Sequence, residues 1–230
     1  MKSIKNKIKH YFGKHPRIFF PIFKLVSKQN VVEECLLDKK SELVIEGFPR
    51  SANTYSVVAF RQAQNRTVSM GHHLHVEAQI LKPVDLGLPV VALIRHPEDA
   101  IKSLLIRHPN EEKEESLKRY IDFYSAVEQV RDKVVIANFI DVTTNFSTVI
   151  EQVNKKFNTT YQLFIHNDEN IDKIYREIER INEALDLGKE THVARPSKER
   201  DNVKNSILFT KEDEKLLEDA VSLYCRLIQK

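Results

Sequence analysis

Three short stretches carry residues whose types and spacing could do chemistry. The first is EGFPRSANTY, residues 46–55. Gly47 and Thr54 fit the ends of the phosphate-loop frame G-x-x-x-x-G-K-[ST], but Ala52 stands at its second glycine and Asn53 at its lysine. Arg50 brings a cation in earlier. Such a loop offers an anion its backbone N–H groups, the Ser51 and Thr54 hydroxyls and the positive end of the following helix. Phosphoryl transfer from ATP would lose a major charge-stabilising group without the lysine. The second stretch is LIRHPEDAIKSLL, residues 93–105. Arg95 ends an apolar run, Pro97 suits a first helical position, and Ser103 falls about two turns into that helix. The planar fork of arginine matches a phosphate with two parallel bonds. A plainer reading has Asp99 capping the helix and Arg95 pairing with an acid. The third stretch is SMGHHLHVEAQI, residues 69–80, with His72, His73, His75 and Glu77. A histidine, with its ordinary pKa near about 6.5, can accept a proton at neutral pH. No cysteine or carboxylate at ligand spacing joins the histidines, which argues against a metal centre.

These stretches need elements to hold them. Leu43–Phe48, Val90–Ile94 and Val134–Phe139 are short apolar runs rich in β-branched residues, expected as buried parallel strands, with 67–70 as a fourth. Helices are expected where apolar residues step by three and four: 117–130, 171–185 and 216–228, the last entered through Thr210. Strands alternating with helices imply a right-handed, doubly wound α/β layer. In such sheets ligands sit beyond the carboxyl ends of the strands, where both loops lie.

The loop GFPRSANTY resembles the 5′-phosphosulfate loop of sulfotransferases, P-[KR]-S-G-[ST]-T-[WY] after the first strand. Pro49, Arg50, Ser51, Thr54 and Tyr55 match, while Ala52 and Asn53 depart from it. The stretch from Arg95 is similar to the family's 3′-phosphate motif, R-[DNH]-P-x-D-[AV]-x-x-S, at every defined position. The resemblance, which runs patchily from about residue 42 to about residue 210, implies several things. The fold would be three-layer α/β/α with a central, mostly parallel sheet, of P-loop NTPase-like sulfotransferase architecture. The donor would be 3′-phosphoadenosine-5′-phosphosulfate (PAPS), with no metal, and the acceptor a hydroxyl on a small molecule, saccharide or glycolipid. Arg50, Ser51, Ala52, Asn53, Thr54 and Tyr55 would line the 5′ side, and Arg95 and Ser103 would hold the 3′-phosphate. Phe139 would lie beside the adenine. Arg195, Ser197, Lys198 and Arg200, in ARPSKERDNVKNS, resemble the family's C-terminal basic loop, although its R-K-G triplet is missing. His73-Leu74 matches the family's catalytic His-Leu pair, so His73 would be the base and Arg50 would steady the leaving phosphate. His75 and Glu77 remain alternatives for the base.

Composition bounds the rest. With 230 residues, 41% hydrophobic and 30% charged, the chain suits one α/β domain over 41–230 behind a basic, partly apolar arm over 1–40. A net charge of +3 gives no reason to expect nucleic acid as a partner. The arm carries Lys2, Lys5, Lys7, Lys9, Lys14, Arg17, Lys24 and Lys28 with no acid before Glu33, interleaved with Ile18, Phe19, Phe20, Ile22 and Phe23. Pro16 and Pro21 should limit any long helix there. The arm is too short and too charged to span a bilayer and lacks the pattern of a signal peptide. Its apolar residues are expected to pack on the domain; lying on an anionic membrane surface is the alternative. Two cysteines without ligand spacing point to reduced thiols and a cytoplasmic chain. The competing functions are a P-loop small-molecule kinase and an inactive nucleotide-binding protein of the same fold.

Overall fold

A computed structural model describes residues 8–9, 11–184, 203–204 and 206–229. Four strands form an all-parallel sheet: β1 (Leu43–Gly47), β2 (Met70–His72), β3 (Val90–Ile94) and β4 (Val135–Asn138), in the order β2-β1-β3-β4. β1 and β3 are buried at every position, as expected of parallel strands covered on both faces. Alternate residues feed two cores. Val44, Val90, Ala92 and Ile94 face one, and Leu43, Ile45, Val91 and Leu93 face the other.

Helices cover both faces. On the first lie α1 (Pro16–Val26), α4 (Ala78–Asp85), α5 (Pro97–Arg107), α6 (Lys113–Gln129) and α10 (Lys211–Ile228); α2 (Gln29–Cys35) runs along the β2 edge. The second carries α3 (Asn53–Ala63), α8 (Phe146–Phe157) and α9 (Asp168–Ala184), with α7 (Phe139–Thr144) closing the end of β4. α9 buries Ile174 and Ile178 from its expected stripe. α10 starts in a capping box, with the Thr210 N–H donating to Asp213 at 2.9 Å.

One expectation needs correction. The fourth strand starts at Met70, not at 67: β1 begins at Leu43, whose partner is Met70, and 67–69 contribute only the Ser69 carbonyl to the Glu42 N–H. His72 therefore lies on a buried strand rather than in the loop after it. The helix of the arm is short, eleven residues, and it accommodates both prolines. Pro16 occupies the first turn of α1, and Pro21 sits on its exposed side, where water can take the carbonyl that Pro21 leaves without a donor. Phe19, Phe20 and Phe23 pack in the first core, while Ile18 and Leu25 stay exposed.

β1 sends the chain to β2 on one side, and β3 pairs on the other. That reversal puts a crevice between the carboxyl ends of β1 and β3, the usual ligand position in an open α/β sheet.

Candidate active site

The loop from β1 to α3 is shaped from behind by Tyr124 of α6. Its hydroxyl donates to the Leu93 carbonyl at 2.7 Å. With that proton committed, the oxygen accepts from the Phe48 N–H at 3.4 Å and the Ser51 hydroxyl at 3.3 Å. Ser51 is fully buried, so its hydroxyl serves the loop's shape. Asn53, at the lysine position of the phosphate-loop frame, is buried too and donates its amide to the Phe48 carbonyl at 3.0 Å. Gly47 fits because β3 runs close by: a Cβ there would come within 2.5 Å of the Leu93 oxygen. Arg50 and Ala52 both adopt left-handed backbone, at φ 71 and 67. Ala52 thus takes the conformation that glycine takes without strain.

The two motifs meet. Arg50 Nε donates to Ser103 Oγ at 3.0 Å, and Arg95 donates to the Arg50 carbonyl at 3.1 Å. Tyr120 of α6 donates to the Arg95 carbonyl at 2.7 Å, fixing the end of β3. The Arg95 guanidinium lies 4.0 Å from the centre of the Phe139 ring, a cation–π contact. Pro97 opens α5, followed by Glu98 and Asp99. Asp99 is tied to Lys204, which brings the described end of the C-terminal loop to this helix start. Burial alone would push the Asp99 carboxyl up, but the Lys204 ammonium holds it below its ordinary value. Arg195, Ser197, Lys198 and Arg200 lie outside the described residues. Tyr55 is buried against Tyr175 of α9, its hydroxyl without a hydrogen-bond partner among the described residues, and burial pushes its pKa up to about 12.

Beside the loop, the histidines form a chain. Arg61 of α3 lies 3.0 Å from His72 Nε2, His72 Nδ1 lies 2.8 Å from His73 Nδ1, and His73 Nε2 lies 3.1 Å from the Thr54 hydroxyl. Burial, with the neighbouring His73 and Arg61, drives His72 down to about 2. Burial drives His73 down to about 4. His75 stands apart from the chain: its Nδ1 is 2.7 Å from the Gly47 carbonyl and 3.2 Å from Glu46 Oε1. His73 and His75 are both left-handed, at φ 58 and 55. With Arg50 and Ala52 they concentrate backbone strain at one place, as functional sites do. Glu77 is buried beside Gly13, and burial raises its pKa.

Glu46 had gone unremarked in the sequence. It is fully buried and accepts from the Leu74 N–H at 2.8 Å and the Gly47 N–H at 3.2 Å. Burial alone would raise its pKa, but the bonds from His75 and Leu74 hold the carboxyl below its ordinary value. The signal was available: a carboxylate inside LVIEGF, an otherwise apolar strand, must be partnered.

No protein-family model matches the chain, and no curated protein matches it in sequence. Among solved structures it is similar to the crystal structure of mouse sulfotransferase SULT7A1 complexed with PAP. The match covers 86% of this chain and 88% of that one, at 12% identity and a TM-score of 0.50. The fold is that of the sulfotransferases. Among the described residues no three His, Cys, Asp or Glu side chains are grouped as metal ligands, and no helix is long and apolar enough to cross a membrane.

Proposed function

We propose that the protein is a sulfotransferase that moves the sulfuryl group of PAPS to an acceptor hydroxyl, such as that of a saccharide or glycolipid. One observation carries the reading: Arg50, Arg95 and Ser103, from two motifs far apart in sequence, meet in the crevice at the switch point of the sheet. Two guanidinium groups, the Thr54 hydroxyl and the N-terminus of α3 form a donor set that fits a phosphorylated nucleotide. Arg95 and Ser103 would hold the 3′-phosphate. Arg50 would turn from Ser103 toward the 5′-phosphate and balance the charge that builds there as sulfur departs. Remote binding of the 3′-phosphate then positions the reacting sulfur. The mouse structure with PAP is consistent with this donor. Asn53 counts against the kinase alternative, since a neutral amide tied to the loop's own carbonyl cannot follow a transferred phosphate.

The test is thermal stability in the presence of adenosine 3′,5′-bisphosphate, of AMP, and of ATP with Mg²⁺. At about 100 times its dissociation constant the bisphosphate should stabilise the fold by about 2.7 kcal/mol. Arg95→Ala should abolish most of that gain. Stabilisation by ATP with Mg²⁺ alone would replace this reading with the kinase. No response to any nucleotide would leave only the fold in common with the enzymes.

A further inference from the structure

We infer that His75, backed by the buried Glu46, is the group that takes the acceptor's proton, and that His73 is a positioning residue that presents Thr54 to the donor. This rests on the sulfuryl-transfer reading, and it departs from the His-Leu pair that places the base at His73.

Proton accounting decides between the rings. A guanidinium only donates, so Arg61 requires His72 Nε2 to accept. His72 is buried and neutral, so its single proton is on Nδ1 and is donated to His73 Nδ1. His73 then carries its own proton on Nε2 and donates it to the Thr54 hydroxyl. Both nitrogens of His73 are used, and the one nearer the loop already holds a proton. It cannot accept a second without adding a charge beside Arg61, and the nearby Arg107 opposes that charge as well. Thr54, accepting from His73, keeps its own O–H to donate outward to an anion.

At His75 the accounting reverses. Its Nδ1 faces two acceptors, the Gly47 carbonyl and the Glu46 carboxylate, so Nδ1 carries the proton. In the neutral ring the lone pair is therefore on Nε2, and no hydrogen bond engages that atom among the described residues. The side chain is 22% exposed, and it hangs on the carbonyl of the residue that opens the anion loop. Carboxylate, imidazole and open Nε2 follow the order of the serine-hydrolase triad, in which the carboxylate orients the ring and steadies the imidazolium. The step balances. The acceptor oxygen bonds to sulfur, its proton passes to His75 Nε2, and the bond from sulfur to the 5′-phosphate oxygen breaks with its electron pair on that oxygen. The products are a sulfate ester, adenosine 3′,5′-bisphosphate and an imidazolium beside Glu46.

Two measurements on the full chain test this. The ring ¹⁵N spectrum should show neutral His75 with a bare Nε2 and His73 with a protonated Nε2; the opposite pair of tautomers would overturn the inference. Asparagine tolerates left-handed backbone and keeps a donor near the Nδ1 position while removing Nε2. With PAPS and n-butanol as the probe acceptor, His75→Asn should lower kcat by about 10²–10⁴-fold. Binding of adenosine 3′,5′-bisphosphate to that variant should stay within about twofold, since the inference assigns Nε2 to the acceptor and not to the donor. His73→Asn should act through Thr54 and mainly raise KM for PAPS. An unchanged kcat in His75→Asn, or a larger kcat loss in His73→Asn, would overturn the inference. If the wild type does not turn over butanol, the ring tautomers decide alone. Failure of the wild type to bind the bisphosphate would sink the donor reading instead, whatever the tautomers show.

Discussion

The histidine chain makes the fold sensitive to mild acid by a calculable amount. His72 and His73 have folded pKa values near about 2 and about 4, against an ordinary 6.5. Below that ordinary value the unfolded chain binds a proton at each ring and the folded chain does not. Stability is therefore complete above about pH 6.5 and falls as pH drops. Each excluded proton contributes a slope of about 1.4 kcal/mol per pH unit. Integrated from about pH 6.5 to about pH 5, each ring removes about 1.6 kcal/mol, and the two together about 3 kcal/mol. Against a total of about 5–15 kcal/mol for a typical domain that is a large change. Glu46 adds an effect of the same sign only once pH approaches its ordinary 4.5, while Glu77, whose carboxyl burial raises, acts with the opposite sign above that value, so a variant that removes one ring is needed to isolate the histidines.

Urea unfolding at several pH values measures the effect as a shift in midpoint at constant slope m. His72→Gln supplies the control. The glutamine oxygen can accept from Arg61 and its amide can donate to His73, so the chain stays closed while one titrating ring is removed. The pH slope should then fall by roughly half. A wild-type loss below about 1 kcal/mol across the window, or an unchanged slope in His72→Gln, would refute the reasoning, because it rests on both rings being held neutral.

Other outcomes follow from single contacts. Tyr124→Phe leaves the Leu93 carbonyl, the Phe48 N–H and the Ser51 hydroxyl without a shared partner. Two of the three contacts are long, so the expected loss is about 2 kcal/mol by urea unfolding, and a loss under about 0.5 would deny that Tyr124 holds the loop. Ala52→Gly relieves left-handed strain of about 1–2 kcal/mol and adds about 0.5–1 kcal/mol of unfolded-chain entropy. A net gain of up to about 1 kcal/mol should appear as a raised Tm, and a clear loss would show that the alanine methyl is a packing group. Arg17, Lys24, Ile18 and Leu25 share the exposed side of α1; if that side meets an anionic membrane, the chain should float with phosphatidylserine vesicles, and Leu25→Glu should release it. Equal flotation with neutral vesicles would contradict the electrostatic part.

Apolar periodicity was enough to locate β1, β3 and the helices α6, α9 and α10, because each buries a stripe or a whole run that leaves a pattern in the chain. β2 was placed early because its length is set by where β1 begins, and that is a property of the pair. Motif spacing brought Arg50, Arg95 and Ser103 forward as one set, but their contact depends on β1 and β3 being neighbours. β2, which lies between them in sequence, goes to the other side of β1. The histidines posed a different problem. In SMGHHLHVE only the resemblance of His73-Leu74 to a His-Leu pair ranks the three rings and the carboxylate, and the ranking by proton positions comes from outside the stretch: Arg61 on α3, the Gly47 carbonyl on β1, and Glu46 beneath it. A guanidinium at one end of the chain of rings fixes every proton along it, and two acceptors at His75 fix the opposite arrangement there. The sequence supplied the bases; which nitrogen is left open was decided by donors and acceptors that only the folded sheet brings against them.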